Sequence, residues 1–143
     1  MACPPSVSTR TVFSNWLVLL VLCAIIFIQS HGLVLNDIPL PKHLDKVLHF
    51  TCFSVLAVLF FRAYHSLPVR SSVKMLVIIS ALSTILYGVG DELHQSFVPL
   101  RVSDGLDLVA DAAGALFGLG GYLLWRHRAH RLMEPSGADQ CFS

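Results

Sequence analysis

Long stretches of this chain contain no charged residue, and this pattern predicts four membrane-spanning helices. From Thr11 to Asn36 there is no Asp, Glu, Lys or Arg, which predicts a first helix over about Val12 to Ser30. Three further apolar runs follow at Val47 to Phe61, Met75 to Gly90 and Ala112 to Trp125. We therefore expect an all-α fold, an integral membrane four-helix bundle with short loops.

The expected domain organisation follows from these runs. Residues 1–11 form an N-terminal tail, residues 12–126 the four-span membrane domain, and residues 127–143 a C-terminal tail that is first basic and then disordered. Two prolines end the helical pattern in the loop 36–41. A cleaved signal peptide is the alternative for the first run, with Arg10 as its charged start and Ser30 and Gly32 near the cleavage point.

Composition supports the membrane assignment. Hydrophobic residues make up 55% of the chain and charged residues 13%, with a mean hydropathy of +0.68, far from the balance of a soluble domain. The net charge is +1, and no basic stripe is present, so a nucleic-acid partner is not expected. The four cysteines lack the spacing of a zinc site or a disulfide framework.

Basic residues predict the orientation. With the N-terminus inside, seven Lys and Arg residues lie on the cytoplasmic side and three, Lys42, Lys46 and Arg101, on the other. The positive-inside rule then favours a multi-pass protein of the cytoplasmic (inner) membrane with both termini in the cytoplasm. Trp16 and Trp125 fall near the inner interface, and most of the acids lie on the extracytoplasmic side.

The fourth run is too short to cross a bilayer alone. Residues 112–125 extend about 21 Å as a helix, against a hydrocarbon core of about 30 Å. Asp111 and Asp107 must then lie in or close to the bilayer, shielded by neighbouring helices. Acidic residues within a membrane more often have a functional role than a role in keeping the protein soluble.

Helical spacing predicts that polar side chains of three helices converge at one end of the bundle. Three groups each share a helix face: Asp45 with His49; Asp91 with His94 and Gln95; Asp104 with Asp107 and Asp111. The last stripe continues as Gly114, Gly118 and Gly121, and the first two form a GxxxG motif that lets helices approach closely. This glycine face is also a candidate surface for an oligomer. Glu92 points to another face than Asp91, so a solvated side chain is the alternative to a role in the site for this residue.

Three motifs, in order along the chain, resemble those of the VanZ-like family of small polytopic membrane proteins. The similarity covers about Pro39 to Gly121. The motifs are D-K-x-x-H-F (Asp45, Lys46, His49, Phe50), D-E-x-H-Q-x-F-x-P-x-R (Asp91, Glu92, His94, Gln95, Phe97, Pro99, Arg101) and D-x-x-x-D/N-x-x-G (Asp107, Asp111, Gly114).

The resemblance implies a four-helix membrane domain and a link to glycopeptide resistance, especially to teicoplanin. It also implies a set of signature polar positions, which are the candidate catalytic residues. Two departures from the family pattern are Leu100, where a Gly is frequent, and Asp111, where many members have Asn. The candidate catalytic residues are Asp45, His49, Asp91, Glu92, Gln95, Arg101 and Asp107, and the candidate ligand-binding residues are Arg101, His94, Asp104 and Asp111.

Three functions fit this extracytoplasmic acid, histidine and arginine pocket. The first is binding of a cell-envelope component without turnover. The second is an enzyme acting on a lipid-linked phosphate or cell-wall precursor, with His49 or His94 as base, a protonated carboxyl group as acid and Arg101 holding the anion. The third is a small transporter or proton relay.

The alternative is a purely structural role, in which the same residues form interfacial ion pairs that fix the helix ends. No cofactor is identified. No metal site is assigned, because the spacing of His49, His94, Asp91 and Asp111 matches no established ligand motif.

Overall fold

Four helices build the structure, a computed structural model that describes residues 8–30, 42–69, 71–98 and 105–133. They are α1 (Thr9–Ser30), α2 (Lys42–His65), α3 (Val73–Gln95) and α4 (Gly105–Met133). All four are long and apolar enough to cross a membrane. The predicted all-α four-helix membrane bundle is thus confirmed.

The helices extend beyond the apolar runs that predicted them. Helix α4 begins at Gly105 and continues to Met133, so the start of the predicted C-terminal tail is helical. Hydropathy marks only the part of a helix that lies in hydrocarbon, whereas the backbone hydrogen bonding continues through charged turns that pair with neighbours. The predicted loop at 36–41 and the end of the tail at 134–143 lie outside the described residues.

Helix α2 is the centre of the bundle. It packs against each of the other three helices, most extensively against α4, while α1 packs on α2 and α3. One apolar core, which includes Leu19, Ile26 and Phe53, joins α1 to α2. A second core, which includes Phe61 and Leu119, joins α2 to α4.

Helices α2 and α4 are in backbone contact at two glycines. A Cβ atom on Gly114 would lie 2.3 Å from the carbonyl oxygen of Phe50, and one on Gly118 would lie 2.2 Å from that of Ser54. The Ser54 hydroxyl group donates to the Gly114 carbonyl group at 2.9 Å. The GxxxG motif therefore packs helices closely, as predicted, and its partner is α2 of the same chain. A second copy cannot use the surface at these two glycines, while Gly121 has open space around it.

The outside of the bundle is apolar. Large hydrophobic side chains on every helix are exposed, including Phe13, Leu86 and Phe117, each about two-thirds accessible. A soluble monomer rarely exposes so much contiguous apolar surface, whereas acyl chains of a bilayer cover it without cost. The buried side chains include polar ones, among them Ser80, Thr84, Asp91, Gln95, Asp107 and Asp111.

Candidate functional site

Polar side chains from all four helices gather at one end of the bundle. They come from the ends of α1 and α3 and from the starts of α2 and α4, so this end is opposite to the N-terminus of α1 and the C-terminus of α4. We call this group the polar cluster. Its members are Ser30, Lys46, His49, Asp91, Glu92, Gln95, Asp107 and Asp111.

Two side-chain pairs connect α2 to α4 within the cluster. The Lys46 ammonium group donates to Oδ1 of Asp107 at 2.8 Å. One helical turn further into the bundle, Nδ1 of His49 lies 3.0 Å from Oδ1 of Asp111. The spacings of three residues on α2 and four on α4 place both pairs in register along adjacent faces. Asp107 and Asp111, the described acids of the predicted stripe, therefore face α2 directly.

Asp111 is the most deeply buried charged side chain of the cluster, with 0% of its surface exposed. Its Oδ2 atom is buried and has no hydrogen-bond partner in the described part of the chain. The side chain packs closely against Gly88 of α3, where an added Cβ would lie 2.8 Å from Oδ2 and 3.0 Å from the ring of Phe53. Glycine at position 88 thus creates the space in which this carboxylate sits.

Contacts with Phe53 and Asp111 are among those that orient His49. The side chain is 12% exposed, its ring is stacked nearly parallel to that of Phe53 at 6.1 Å, and Asp111 contacts Nδ1. An ionised Asp111 oxygen can only accept, so Nδ1 carries a proton, and in the neutral imidazole Nε2 then keeps its lone pair. A carboxylate that orients an imidazole in this way increases the basicity of the other nitrogen.

Asp91 takes part in a separate network between α1 and α3. The Ser30 hydroxyl group donates to Oδ1 of Asp91 at 2.5 Å, and the Gln95 amide group donates to Oδ2 at 3.0 Å. The same amide also reaches the Ser30 hydroxyl oxygen at 3.3 Å. All three side chains are buried. This network ties the end of α1 to α3 and satisfies both carboxylate oxygens of Asp91.

Glu92 lies on a different face of α3 from Asp91, as predicted, and its side chain is half-buried. Its Oε1 atom is buried without a hydrogen-bond partner among the described residues. Its carboxylate interacts electrostatically with Asp107, His49 and Asp111. Glu92 thus has one buried carboxylate oxygen beside the charged groups of α2 and α4 and stays a candidate member of the site.

Four candidate residues are not among the described members of the polar cluster. The His94 ring stacks on Phe27 of α1 at 4.6 Å, on the α1 side of α3. Arg101 and Asp104 lie outside the described residues. Asp45 is near the start of α2, one turn before His49, but its side chain is outside the described part of the structure. Seven polar residues singled out in the sequence are described members of the cluster: Lys46, His49, Asp91, Glu92, Gln95, Asp107 and Asp111.

Two positions that shape the candidate site were not predicted from the sequence. Ser30 was considered only as a neighbour of a cleavage site, and nothing in an uncharged run signals that its last serine will contact an acid 61 residues later. Gly88 had a detectable signal, since a small residue one turn before Asp91 and Glu92 is typical of a place where another helix comes close.

Charge is unbalanced in the described part of the cluster. Four carboxyl groups, on Asp91, Glu92, Asp107 and Asp111, face one lysine and one histidine. Two of the carboxylate oxygens are buried without a donor in the described ranges. In those ranges no three His, Cys, Asp or Glu side chains are placed to hold a metal ion. Such a set suits a ligand that donates hydrogen bonds, or proton transfer between His49 and a neighbouring acid.

Comparison with known proteins places the chain in a family. No curated protein and no solved structure shows a significant match. A family model described as VanZ/LLP1 matches residues 6–126, which include all four transmembrane helices up to Arg126 and every member of the polar cluster. The chain therefore belongs to the VanZ/LLP1 family.

Proposed function

We propose that this VanZ-like membrane protein binds a polar group of a cell-envelope lipid or wall precursor in the polar cluster. The observation that carries the proposal is Asp111, whose carboxylate is fully buried, held by His49 on one oxygen and without a described donor on the other. Burying a carboxylate oxygen without a donor costs several kcal/mol in a membrane interior. A ligand that donates to this oxygen recovers that cost on binding.

Geometry supports a ligand that enters from the membrane surface. The cluster lies at the ends of the helices, and Lys46, about one-third exposed, lies at its outer edge while Asp111 lies beneath. A headgroup would meet Lys46 and Asp107 first and His49 and Asp111 further in. Hydroxyl, amide or ammonium groups, which are common in lipid headgroups and wall precursors, are suitable donors for the carboxylates.

The basic residues support an extracytoplasmic position for this end, with both chain termini in the cytoplasm. Asp45, Arg101 and Asp104 are then further candidates for ligand contacts at the same surface. A role in resistance to teicoplanin-type glycopeptides follows from the family resemblance and is part of the same proposal. A C-terminal reporter enzyme that folds only in the cytoplasm should be active, and an inactive fusion would contradict this orientation.

The decisive experiment compares the lipids and wall precursors of cells with and without the protein. It also identifies the lipids and precursors that copurify with the protein. Glycines 88 and 90 offer a matched pair of variants on one helix. Gly88→Ala should displace Asp111 and abolish both copurification and any cellular change, while Gly90→Ala, which has open space around it, should not. Equal effects of the two variants, at equal protein levels, would remove the site from the proposal.

Acid–base catalysis is a second candidate function, favoured by the orientation of His49. With Asp111 on Nδ1, Nε2 is the nitrogen suited to accept a proton from a substrate hydroxyl group or water. Glu92, whose buried Oε1 lacks a described partner, is a suitable acid. This function predicts a changed product and not merely a bound lipid. His49→Gln should then abolish product formation, and saturable binding with no product would favour the first function.

A further inference from the structure

A second polar site lies at the opposite end of the bundle, near the start of α1 and the end of α2. It is a cavity of about 170 Å³ between three helices, and we call it the basic cavity. Roughly 15 Å³ is enough to hold one water molecule, so the cavity has room for a polar group of several atoms. Its lining consists of Thr11, Asn15, Arg62, His65, Ser66 and Tyr122.

Arg62 has little in this cavity to neutralise it. Its guanidinium group makes a long hydrogen bond of 3.4 Å to the Asn15 side-chain oxygen. A second guanidinium group, on Arg126, donates to Nε2 of His65 at 3.2 Å and adds another positive charge beside the cavity. Guanidinium groups present up to five donors, and a single neutral acceptor uses one of them.

Carboxylates are all distant from the basic cavity in the described part of the chain. The four described carboxylates belong to the polar cluster at the other end: Asp91, Glu92, Asp107 and Asp111. The positive charge of Arg62 and Arg126 therefore has no counter-ion within these ranges, and a concave surface concentrates its field.

Aromatic rings place the cavity at the depth of lipid headgroups. Trp16 and Tyr64 meet edge to face at 5.9 Å, and Tyr122 lies 5.9 Å from Trp125, all within about one turn of the cavity-lining positions. Tryptophan and tyrosine are enriched where a membrane meets water. An anion entering this cavity would therefore be at the level of phospholipid phosphates.

We propose that the basic cavity binds a phosphate group, supplied either by an anionic lipid headgroup or by a free phosphate. Arg62 binds two phosphate oxygens in fork geometry, which its planar guanidinium group favours. The hydroxyl groups of Thr11 and Tyr122 are further donors on two other helices. This site is independent of the polar cluster, shares no residue with it, and joins α1, α2 and α4 around one anion.

Binding is tested on the purified full chain in detergent with three probes: phosphatidylglycerol, diacylglycerol with the same acyl chains, and inorganic phosphate. Thermal unfolding is measured against probe concentration, since a ligand of the folded state raises the midpoint. Phosphatidylglycerol should stabilise the protein and diacylglycerol should not. Arg62→Gln should weaken phosphatidylglycerol binding roughly tenfold or more, because it removes a charge-assisted hydrogen-bond pair.

Arg128→Gln is the matched control, because Arg128 is exposed on α4 and does not line the cavity. It removes the same charge from the same end of the bundle and should leave binding within about twofold. Inorganic phosphate alone could also stabilise the protein, and Arg62→Gln could weaken that stabilisation. This result would identify free phosphate as a sufficient ligand. An equal loss in both variants would show diffuse surface attraction, and equal effects of the two lipids would show acyl-chain binding. Either result overturns the site.

Discussion

Asp111 of α4 and His49 of α2 form a largely buried pair, with Oδ1 of the acid 3.0 Å from Nδ1 of the imidazole. Because each side chain is more than 60 residues from the other in sequence, the pair exists only when α2 and α4 are in close contact. The same close contact depends on Gly114 and Gly118, which lie one and two turns further along the stripe of Asp111. Packing and the candidate site are therefore parts of one interface.

The pair should show strong energetic coupling. We expect a double-mutant cycle of His49→Gln and Asp111→Asn, measured by unfolding in a denaturing detergent, to give a coupling energy of about 1–3 kcal/mol. The physical reason is that either single change already weakens the charge-assisted hydrogen bond between the two side chains, so the second change has less of it left to remove.

A control cycle combines Asp111→Asn with Ser83→Ala, whose hydroxyl group contacts Tyr64 at 2.9 Å. These two positions share no partner and should be additive within about 0.5 kcal/mol. A His49–Asp111 coupling no larger than this control would mean that the contact does not stabilise the bundle.

The glycine contacts should be intolerant of any side chain. Gly114→Ala and Gly118→Ala each place a Cβ against backbone carbonyl groups of α2, so the helices must separate. We expect each to reduce the free energy of unfolding by about 1–3 kcal/mol.

Gly120→Ala is the control on the same helix, since a Cβ there meets nothing within 4 Å. It should be neutral or stabilising by up to about 1 kcal/mol, because alanine favours the helix. Comparable losses at positions 114, 118 and 120 would contradict the α2–α4 packing described here.

The Ser30 hydroxyl group should stabilise the docking of α1 on α3. Ser30→Ala removes a donor to Asp91 at 2.5 Å in a buried site and should cost about 1–3 kcal/mol. Limited proteolysis of the α1–α2 connection, with thermal unfolding alongside, measures the effect.

Ser14→Ala provides the comparison within α1. Its hydroxyl group donates to the Thr11 carbonyl oxygen in an exposed turn, so the change should be within about 0.5 kcal/mol of neutral. If the two serine variants have the same stability, the hydrogen bond from Ser30 to Asp91 does not stabilise the docking of α1 on α3.

The polar positions of single helices were readable from sequence because helical spacing is a local property. Asp107 and Asp111 were expected on one stripe with Gly114 and Gly118, and the structure shows this stripe facing α2. Both acids lie within α4, as the helical spacing predicted, and their place in or close to the bilayer stays a prediction from the short apolar run. Each of these inferences needs only the rise and pitch of a helix and the thickness of a bilayer.

Which residues pair across helices could not be read from the chain, and only the tertiary structure decided it. Asp91 pairs with Ser30 of α1, whereas its neighbour Glu92 faces His49 and Asp107. Adjacent residues on a helix point about 100° apart, so the packing of the neighbouring helices decides what each one meets. The amino-acid pattern determined the four spans and the end of the bundle at which the acids gather. The order of the helices around α2 determined the partner of each acid, because interhelical contacts depend on shape across the whole bundle.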